Sequence, residues 1–512
     1  MEVQILSNEN IVSLRDKKVY CWGMIKDNLT ELFQNYDLID KVVAIIDNNP
    51  KKQGFVEFCD IRVPVVSSEV LKKVVLSELS IIITNDYYEE ILTEIEKNYN
   101  YLLEECNIFR FVNRQDSIDL YYRKLYETTE LENIIVFRSG PIRSSYIKGT
   151  DFLDNARALF EYMLDNNYNE KYKLVWLVKN PEEFSKYNGI ENVEFLSFDW
   201  EDSEKKEERD TYYHRLCLAK YIFMTDAYGF VKNARRDQIR IQLWHGCGFK
   251  TRTTFTRCEK RYEYTTVISD LYAGIHEDIY GLRKDQVLVT GYAKQDWLFQ
   301  PYEKELSELL GVKKSSKYIF WLPTFRMADD NISNLSQYEI NPETGLPIVM
   351  YKEQLLELDK LLEQLDITMI IKLHPFQKDI LIKDYQCNNI AVLPHSALLE
   401  NDLIINRLLA SADAMISDYS SAAVDFLVLD RPLAFTLDDV EEYENSRGFV
   451  FENIREWLPG KEVFDYNDFC QFIQEIADGQ DTTKEKRGKV SEKMLKYRDN
   501  QNCRRIVEAF HI

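Results

Sequence analysis

Two histidines of this chain follow apolar segments directly, at points where a strand would end in a loop. His245 lies at the end of an expected strand over 239–246, and the glycines at 246 and 248 allow a close approach of backbone. His374 follows Ile-Ile-Lys-Leu and precedes a proline. An imidazole at the edge of a cleft suits general-base chemistry near neutral pH, which makes His245 a candidate base. A buried histidine bonded to backbone is the other interpretation of each position.

Cationic side chains accompany these histidines. Lys372 lies two residues before His374, on the same face of the expected strand, and the two together suit phosphoryl oxygens. Arg326 follows Thr324 at the end of another apolar segment, where a guanidinium would hold a phosphate through two hydrogen bonds. A surface ion pair with one of the aspartates at 329 and 330 is the alternative for Arg326.

A third strand end carries the sequence Asp418-Tyr419-Ser420-Ser421, and a helix is expected to begin near Ser420. Free backbone N–H groups at a helix start attract phosphate, and the serine hydroxyls add donors. A plain helix cap at Ser420 is the competing interpretation, and the two are compatible because Ser421 remains able to donate. Asp418, Ser420 and Ser421 are therefore candidate donor-binding residues.

A basic tract runs from Lys232 to Arg261 on a chain whose net charge is −22. The asymmetry predicts contact with an anionic polymer or an anionic lipid surface, and an ordinary basic face is the alternative. The candidates for acceptor or surface binding are Arg235, Arg236, Lys250, Arg252 and, outside the tract, Lys294.

These strand ends require parallel α/β layers to position them. Alternating apolar segments and helical patterns predict a small Rossmann-like module over 1–110, a helical linker over 111–133, and two doubly wound lobes over 134–310 and 311–500, with a tail over 501–512. Two such lobes around a cleft form the GT-B architecture, in which ligands lie beyond the carboxyl ends of the strands.

The N-terminal module lacks the glycines of a dinucleotide fingerprint. Only Gly23 occurs in its first turn, so we interpret the module as a docking or structural unit rather than an NAD site. An NAD enzyme is the weakest alternative for the whole chain.

Composition excludes several function classes. The negative charge argues against nucleic-acid binding, and neither a membrane-spanning segment nor a signal peptide is recognisable. The nine unpatterned cysteines fit a reducing cytosol. The sequence has no D-x-D motif, so basic side chains are expected to neutralise a leaving phosphate. No cofactor is therefore predicted, with divalent-metal dependence left open.

An ordered set of motifs carries a family resemblance over about 134–460. It comprises Trp244-His245-Gly246, Thr290-Gly291-Tyr292 with Lys294 and Asp296, Pro323-Thr324-Phe325-Arg326, Leu373-His374-Pro375, Asp418-Tyr419-Ser420-Ser421 with Asp425, Asp430-Arg431-Pro432 and Arg447-Gly448-Phe449. The set resembles the CDP-glycerol:poly(glycerophosphate) glycerophosphotransferases. One departure is Cys247-Gly248-Phe249-Lys250, where the family usually has Thr-Pro-Leu-Lys.

The resemblance implies a GT-B fold and transfer of glycerol phosphate or ribitol phosphate from a CDP-activated polyol. The acceptor is then a hydroxyl of a lipid-linked primer or of a growing teichoic-acid or capsule polymer, and CMP is released. The resemblance makes His245 the base and places His374, Arg326, Ser420 and Ser421 against the donor.

Two other functions remain open from the sequence: a GT-B glycosyltransferase that uses a nucleotide sugar, and a non-catalytic module of a capsule-assembly complex. The expected location is the cytoplasm, peripheral on the inner face of the membrane. The sequence does not distinguish glycerol from ribitol or primase from polymerase, and it leaves the oligomeric state unread.

Overall fold

A computed structural model of the chain describes residues 3–14, 16–58, 61–75, 78–85, 88–140, 151–199, 205–226, 228–231, 234–250, 262–323, 343–373, 387–446 and 448–512. The chain divides into two compact units, Met1–Glu127 and Thr128–Ile512. The predicted domain boundaries within these units stay predictions.

The first unit is a twisted sheet whose strands are parallel except for the last hairpin. In the order of the sheet, the strands are β1, β7, β6, β2, β3, β5 and β4, and only the pair β4–β5 is antiparallel. The strands are β1 Gln4–Ile5, β2 Lys18–Trp22, β3 Val42–Ile46, β4 Gly54–Phe58, β5 Ile61–Val66, β6 Leu79–Ile83 and β7 Asn107–Arg110, and the helices are α1 Lys26–Tyr36, α2 Tyr88–Asn98, α3 Tyr101–Glu105 and α4 Arg114–Leu125.

Gly23 ends β2 at a point where a side chain has no room. Its φ is +120°, and a Cβ there would lie 2.4 Å from the Cβ of Asn85. The single glycine of this turn therefore serves the packing of the module's own loops, in keeping with a structural interpretation.

The second unit contains two parallel sheets, which form two lobes. The sheet of the first lobe has the order β10-β9-β8-β11-β12-β13-β14. Its strands are β8 Glu132–Ser139, β9 Lys173–Val178, β10 Val193–Ser197, β11 Ala219–Thr225, β12 Ile239–Gln242, β13 Tyr264–Val267 and β14 Val287–Val289, and its helices are α5 Asp154–Asp165, α6 Lys206–Leu218, α7 Asp270–Tyr280 and α8 Leu306–Leu310, with a 3-10 helix over Ala293–Phe299.

The sheet of the second lobe has the order β17-β16-β15-β18-β19-β20, all parallel. Its strands are β15 Lys317–Leu322, β16 Ile367–Lys372, β17 Ile390–Leu393, β18 Ala414–Ser417, β19 Leu433–Thr436 and β20 Lys461–Val463. The remaining helices are α9 Lys352–Gln364, α10 His395–Glu400, α11 Ile405–Leu409, α12 Ser421–Phe426, α13 Val440–Ser446, α14 Ile454–Trp457, α15 Tyr466–Ala477, α16 Lys484–Met494 and α17 Asn502–Ala509.

Both sheets reverse their strand order next to their first strand, which is the doubly wound pattern. The switch points lie between β8 and β11 in the first lobe and between β15 and β18 in the second. The prediction of two Rossmann-type lobes is therefore confirmed, and the crevice beyond β15 and β18 is the place where this fold binds ligands.

The last helix of the chain returns to the first lobe. Ile506 and Phe510 are buried in that lobe's core, and the Tyr221 hydroxyl donates to the Phe510 carbonyl at 3.1 Å. The buried carboxylate of Asp296 accepts from the backbone N–H groups of Asn502 and Cys503 at the start of α17, at 3.0 and 2.8 Å. Within the described residues, no helix combines the length and apolar character needed to cross a bilayer.

Candidate functional site

A pocket of about 150 Å³ opens at the carboxyl ends of β15, β16 and β18. Its wall includes Pro323 after β15, Lys372 at the end of β16, and Ser420 and Ser421 at the start of α12, which follows β18. Three strand ends that are far apart in sequence thus meet at the switch point of the second lobe. The sequence-based prediction named Lys372, Ser420 and Ser421, and the structure brings these three together.

Two lysines line this pocket, Lys372 from the second lobe and Lys294 from the first. Lys372 is the one without a carboxylate partner among the described residues. It lies opposite Leu393 in the β16–β17 ladder, and no carboxylate of the described chain contributes to its pKa. Burial lowers the pKa of Lys372 from 10.5 to about 8. A half-buried ammonium with no carboxylate partner among the described residues favours an anionic ligand in the pocket.

His395 lies close to Lys372 at the start of α10. Burial, and secondly the charge of Lys372, lower the pKa of His395 to about 4, so the imidazole is neutral at physiological pH. Its Nδ1 is buried and makes no hydrogen bond within the described chain. Sequence reasoning missed His395, although it follows β17 in the way that the selected histidines follow their apolar segments.

Ser420 caps α12, as one interpretation of the sequence predicted. Its Oγ accepts from the Ala422 N–H at 3.3 Å. Asp418 is fully buried and does not line the pocket, whereas the Tyr419 hydroxyl beside it donates to Asp439 at 3.1 Å. The expected role of Asp418 in donor binding stays a prediction.

The loop that carries His245 departs from strand geometry immediately after β12. Trp244 has a φ of +51° and Gly246 a φ of +148°, so the chain turns sharply around the half-buried His245. The expected strand over 239–246 therefore ends at Gln242, whose side-chain oxygen accepts from the Trp244 N–H at 3.0 Å. Because of this turn, His245 lies in the loop after β12 and is not part of the strand ladder of the sheet.

Side chains hold the carbonyl groups of this loop in succession. Asn155, fully buried on α5, donates to the carbonyls of Leu243 and Trp244 at 3.3 and 2.8 Å. Lys294 Nζ donates to the carbonyl of His245. Sequence reasoning missed Asn155, because the sequence of the helix Asp154–Asp165 gives no sign that this side chain binds the Trp244 carbonyl, almost ninety residues away.

Buried aromatic side chains support the loop from below. Trp244 stacks on Tyr280 with ring centroids 4.7 Å apart, and Cys247 Sγ lies 3.0 Å from the Tyr292 hydroxyl and 3.8 Å from His276 Nε2. Cys247 is 3% exposed, so this departure from the family motif lies on the buried side of the loop.

The His245 loop of the first lobe lies directly on the start of α12 in the second lobe. A Cβ built on Gly246 would be 2.8 Å from Ser421 Oγ, and one on Gly248 would be 3.4 Å from Ser421 Cβ. Two residues further, Lys250 forms an antiparallel bridge with Phe449. The loop of the candidate base is therefore in contact with Ser421 at the wall of the pocket, whereas His245 itself is not among the residues that line the pocket.

Lys294 was predicted to bind an acceptor or an anionic surface, and the structure holds it between two carboxylates. Its Nζ lies 3.3 Å from Asp154 Oδ1 and 3.3 Å from Asp425 Oδ2, and Gln295 Nε2 donates to the other oxygen of Asp425 at 2.9 Å. Burial lowers the pKa of Lys294, but the two carboxylates outweigh it and the pKa is raised. The ammonium is charged, and it borders the pocket.

The basic tract is partly neutralised by its own neighbours. Arg235 is buried, pairs with Asp237 at 2.6 Å and donates to the Thr129 carbonyl, while Arg240 pairs with Glu263. Arg236 is exposed, and the Lys250 ammonium lies 5.7 Å from the centre of the Tyr443 ring. Of the predicted surface cations, Arg236 is therefore the one whose side chain faces solvent in the described part of the tract.

Four predicted site residues lie outside the described residues. They are His374, Arg326, Thr324 and Arg252. In the described ranges, no group of three or more His, Cys, Asp or Glu side chains has the arrangement of a metal site.

Comparison with known proteins gives a consistent result. The sequence profile described as "CDP-Glycerol:Poly(glycerophosphate) glycerophosphotransferase" matches residues 128–511. The chain is 27% identical to the teichoic acid ribitol-phosphate polymerase TarK of Staphylococcus aureus, over 57% of this chain and 56% of that protein. It is 29% identical to the teichoic acid glycerol-phosphate primase of Bacillus subtilis, over 51% of this chain and 66% of that protein.

The chain thus spans between about half and two thirds of the length of these curated relatives. Among solved structures, a histidine variant of the wall teichoic acid polymerase TagF superposes with a TM-score of 0.56 at 20% identity, covering 83% of this chain and 96% of the other. This likeness confirms the fold.

Proposed function

Because this chain belongs to the CDP-glycerol:poly(glycerophosphate) glycerophosphotransferase family, we propose that it transfers a polyol phosphate from a CDP-activated polyol to a hydroxyl group of an acceptor. The acceptor is a lipid-linked primer or a growing teichoic-acid chain, and the second product is CMP. Relatives named as glycerol-phosphate and as ribitol-phosphate enzymes match with similar identity, so the donor is CDP-glycerol or CDP-ribitol.

One observation carries the proposal. The His245 loop lies in contact with Ser421, and Ser421 borders a pocket that is also lined by Lys372, a lysine without a carboxylate partner in the described chain. A base on one side of the cleft and an anion pocket on the other suit the transfer of a phosphoryl group between two oxygens.

The proposed reaction is a single displacement at phosphorus. His245 takes the proton of the acceptor hydroxyl, while the oxygen of that hydroxyl forms a bond to the β-phosphorus of the donor. The bond between that phosphorus and the bridging oxygen breaks, and the electron pair leaves with CMP. His245 then returns its proton to solvent.

The second lobe neutralises the charge that spreads over the phosphoryl oxygens. Lys372 supplies a positive charge, and the hydroxyls of Ser420 and Ser421 supply donors at the same wall of the pocket. From the motifs that carry them, His374, Arg326 and Thr324 are expected to add donors to the same phosphates. We propose that the reaction needs no metal ion, and activity in excess EDTA tests this.

The proposed location is the cytoplasmic face of the membrane, where a lipid-linked acceptor would be presented. The exposed Arg236 supports a contact with anionic lipid, together with the tract residues outside the described ranges, Arg252 among them. Co-sedimentation with vesicles containing anionic lipid tests this contact. Retention in the supernatant at low and physiological salt would contradict it.

The test of the function is CMP release from the purified chain with CDP-glycerol or CDP-ribitol and a polyol-phosphate or lipid-linked acceptor. Acceptor-dependent release with one of the two donors supports the proposal and identifies the polyol. Release of UDP or GDP from a nucleotide sugar, with neither polyol donor used, would indicate a glycosyltransferase instead. If no donor releases its nucleotide while the chain still binds a partner of a capsule-assembly complex, the chain would be a non-catalytic module.

A further inference from the structure

Lys294 is a buried lysine whose ammonium group binds residues of both lobes. It belongs to the buried 3-10 helix Ala293–Phe299 of the first lobe, and its side chain is 10% exposed. The Nζ atom reaches three acceptors: the carbonyl of His245, Oδ1 of Asp154 and Oδ2 of Asp425. An ammonium group has three N–H bonds, so these acceptors use its full donor capacity.

The three acceptors belong to different parts of the site. The His245 carbonyl is in the loop of the candidate base, Asp154 begins α5 of the first lobe, and Asp425 is on α12 of the second lobe. Asp425 is four residues from Ser421, which borders the anion pocket. One charged atom thus connects the base loop to the helix that carries the pocket's serines.

The neighbouring hydrogen bonds leave the lysine little freedom. Its own N–H donates to Asn155 Oδ1 at 3.0 Å, and Asn155 in turn holds the carbonyls of Leu243 and Trp244. Gln295 holds the remaining oxygen of Asp425. These buried polar groups form a network in which the hydrogen bonds of each side chain restrict the position of its neighbour. A fully bonded buried network of this kind favours a single arrangement of the loop.

We infer that Lys294 is a positioning residue, which sets the distance between His245 and the phosphate pocket by holding the His245 loop on α12. For its kinetic consequence this inference depends on the proposed function. Lys294 does not supply the charge for the donor, since two carboxylates already surround its ammonium. Loss of Lys294 therefore reduces turnover much more than donor affinity, because a misplaced base by itself costs about 100-fold in rate.

The matched control is Lys461, a second lysine in a buried ion pair. Its Nζ pairs with Glu475, with side chains 15% and 13% exposed, and it does not border the pocket. The variant Lys461→Met thus removes a comparable ion pair from the edge of the second sheet and leaves the site as it is.

The experiment compares Lys294→Met, Lys294→Arg and Lys461→Met with the unmodified chain. Four quantities are measured: kcat, the Kd of CDP-glycerol or CDP-ribitol by calorimetry, the melting temperature, and backbone hydrogen exchange of the peptide over 243–248. For Lys294→Met we expect kcat to fall about 100-fold, Kd to change less than about 3-fold, and exchange of the loop to rise about 10-fold. Lys294→Arg should recover at least about a tenth of kcat, since it keeps the charge.

Several outcomes would overturn the inference. These are a kcat of Lys294→Met close to that of the unmodified chain, a loss of donor affinity equal to the loss in turnover, or the same changes in Lys461→Met. If Lys294→Met does not fold, Asp425→Asn replaces it, because it removes one link of the network and keeps the shape of the side chain.

The exchange measurement separates this inference from the proposed function. If the unmodified chain releases no CMP with either polyol donor, the proposed function fails, and faster loop exchange in the Lys294 variant still supports the positioning role. If the unmodified chain is active and the loop of the variant exchanges as slowly as before, the positioning role fails alone.

Discussion

Gly246 of the first lobe and Ser421 of the second lie in contact across the cleft, with no space for a side chain between them. A Cβ on Gly246 would come within 2.8 Å of Ser421 Oγ and 2.9 Å of Ser421 Cβ. Separations below 3 Å force atoms apart, so this contact sets how closely the His245 loop approaches the pocket. The glycine at this position is therefore explained by the meeting of two lobes as well as by its φ of +148°.

The first prediction follows from this contact. Gly246→Ala should displace the His245 loop from Ser421 and lower kcat by about 100-fold, because a shift of roughly 1 Å is enough for such a loss. The control is Gly274→Ala on α7, where a Cβ meets nothing within 4 Å. Initial rates of CMP release check this prediction. Equal rates for Gly246→Ala and Gly274→Ala would show that the loop does not need its present distance from Ser421.

The second prediction concerns the base itself. His245→Ala should lower kcat by roughly 10²–10⁴-fold, the usual contribution of general-base catalysis, while the Kd of the CDP-polyol stays unchanged. The matched control is His214→Ala, because His214 lies on α6 beside Glu132, away from the pocket. Calorimetric donor titration and CMP release are measured on the same preparations. Unchanged turnover of His245→Ala would refute its assignment as the base.

The third prediction concerns Asn155, the residue that sequence reasoning missed. Asn155→Ala leaves the carbonyls of Leu243 and Trp244 without this donor in a fully buried place, and each lost partner costs about 1–3 kcal/mol of stability. We expect a lower free energy of unfolding together with reduced turnover. Denaturant unfolding measures the first quantity, and CMP release measures the second.

The control for Asn155 is Asn166→Ala. The side chain of Asn166 also donates to a backbone carbonyl, that of Tyr162, but it does so in an exposed place where water replaces it. Its removal should change stability by less than about 0.5 kcal/mol. If the two variants had the same free energy of unfolding, the hydrogen bonds from Asn155 to the loop would not contribute to stability.

The residues at the strand ends were predictable from sequence because the doubly wound fold gathers them physically. An apolar segment followed by a polar residue indicates where a strand ends, and parallel sheets collect such ends at one edge. Lys372, Ser420 and Ser421 were found in this way, and all three border the pocket. The lobes themselves followed from the same alternation of strand and helix.

The partners of the cations were not predictable. Lys294 looked like a surface cation, since its carboxylate partners at 154 and 425 are each more than a hundred residues away in sequence. Arg235 looked equally available, yet its guanidinium donates to the carbonyl of Thr129, 106 residues away in sequence. Such pairings depend on which elements meet in space, and a single sequence contains no signal for them.

Short or partly exposed strands give a weak sequence signal for a different reason. Val193–Ser197 lies at the edge of its sheet with every side chain half-buried, and Val287–Val289 has only three residues. Neither segment has the continuous apolar run that marks a central parallel strand. The sequence pattern therefore gives little indication of these two strands.

The fourth prediction concerns the charge of Lys372. Its pKa of about 8 lies below the ordinary 10.5 because burial disfavours the ammonium. An anionic donor binds the charged form, so donor affinity should fall as the pH rises above about 8 and the lysine loses its proton. Lys372→Arg should remove this alkaline decline, since a guanidinium stays charged.

The same pKa has the opposite consequence for stability without donor. The folded state binds fewer protons than the unfolded chain between about pH 8 and 10.5, so the cost of the buried charge is fully present below pH 8 and disappears as the pH rises through this window. This difference corresponds to about 3 kcal/mol at most. Lys372→Met should therefore raise the free energy of unfolding at pH 7 while it weakens donor binding.

Urea unfolding at pH 7 and donor titration between pH 6.5 and 9.5 measure the two effects on one set of proteins. A residue that binds the ligand at the expense of the stability of the fold gives opposite signs in the two measurements, whereas replacing a purely structural lysine lowers stability and leaves donor binding unchanged. If Lys372→Met were less stable than the unmodified chain and bound donor equally well at every pH, Lys372 would be a structural residue and the pocket's anion would have to be held by other groups.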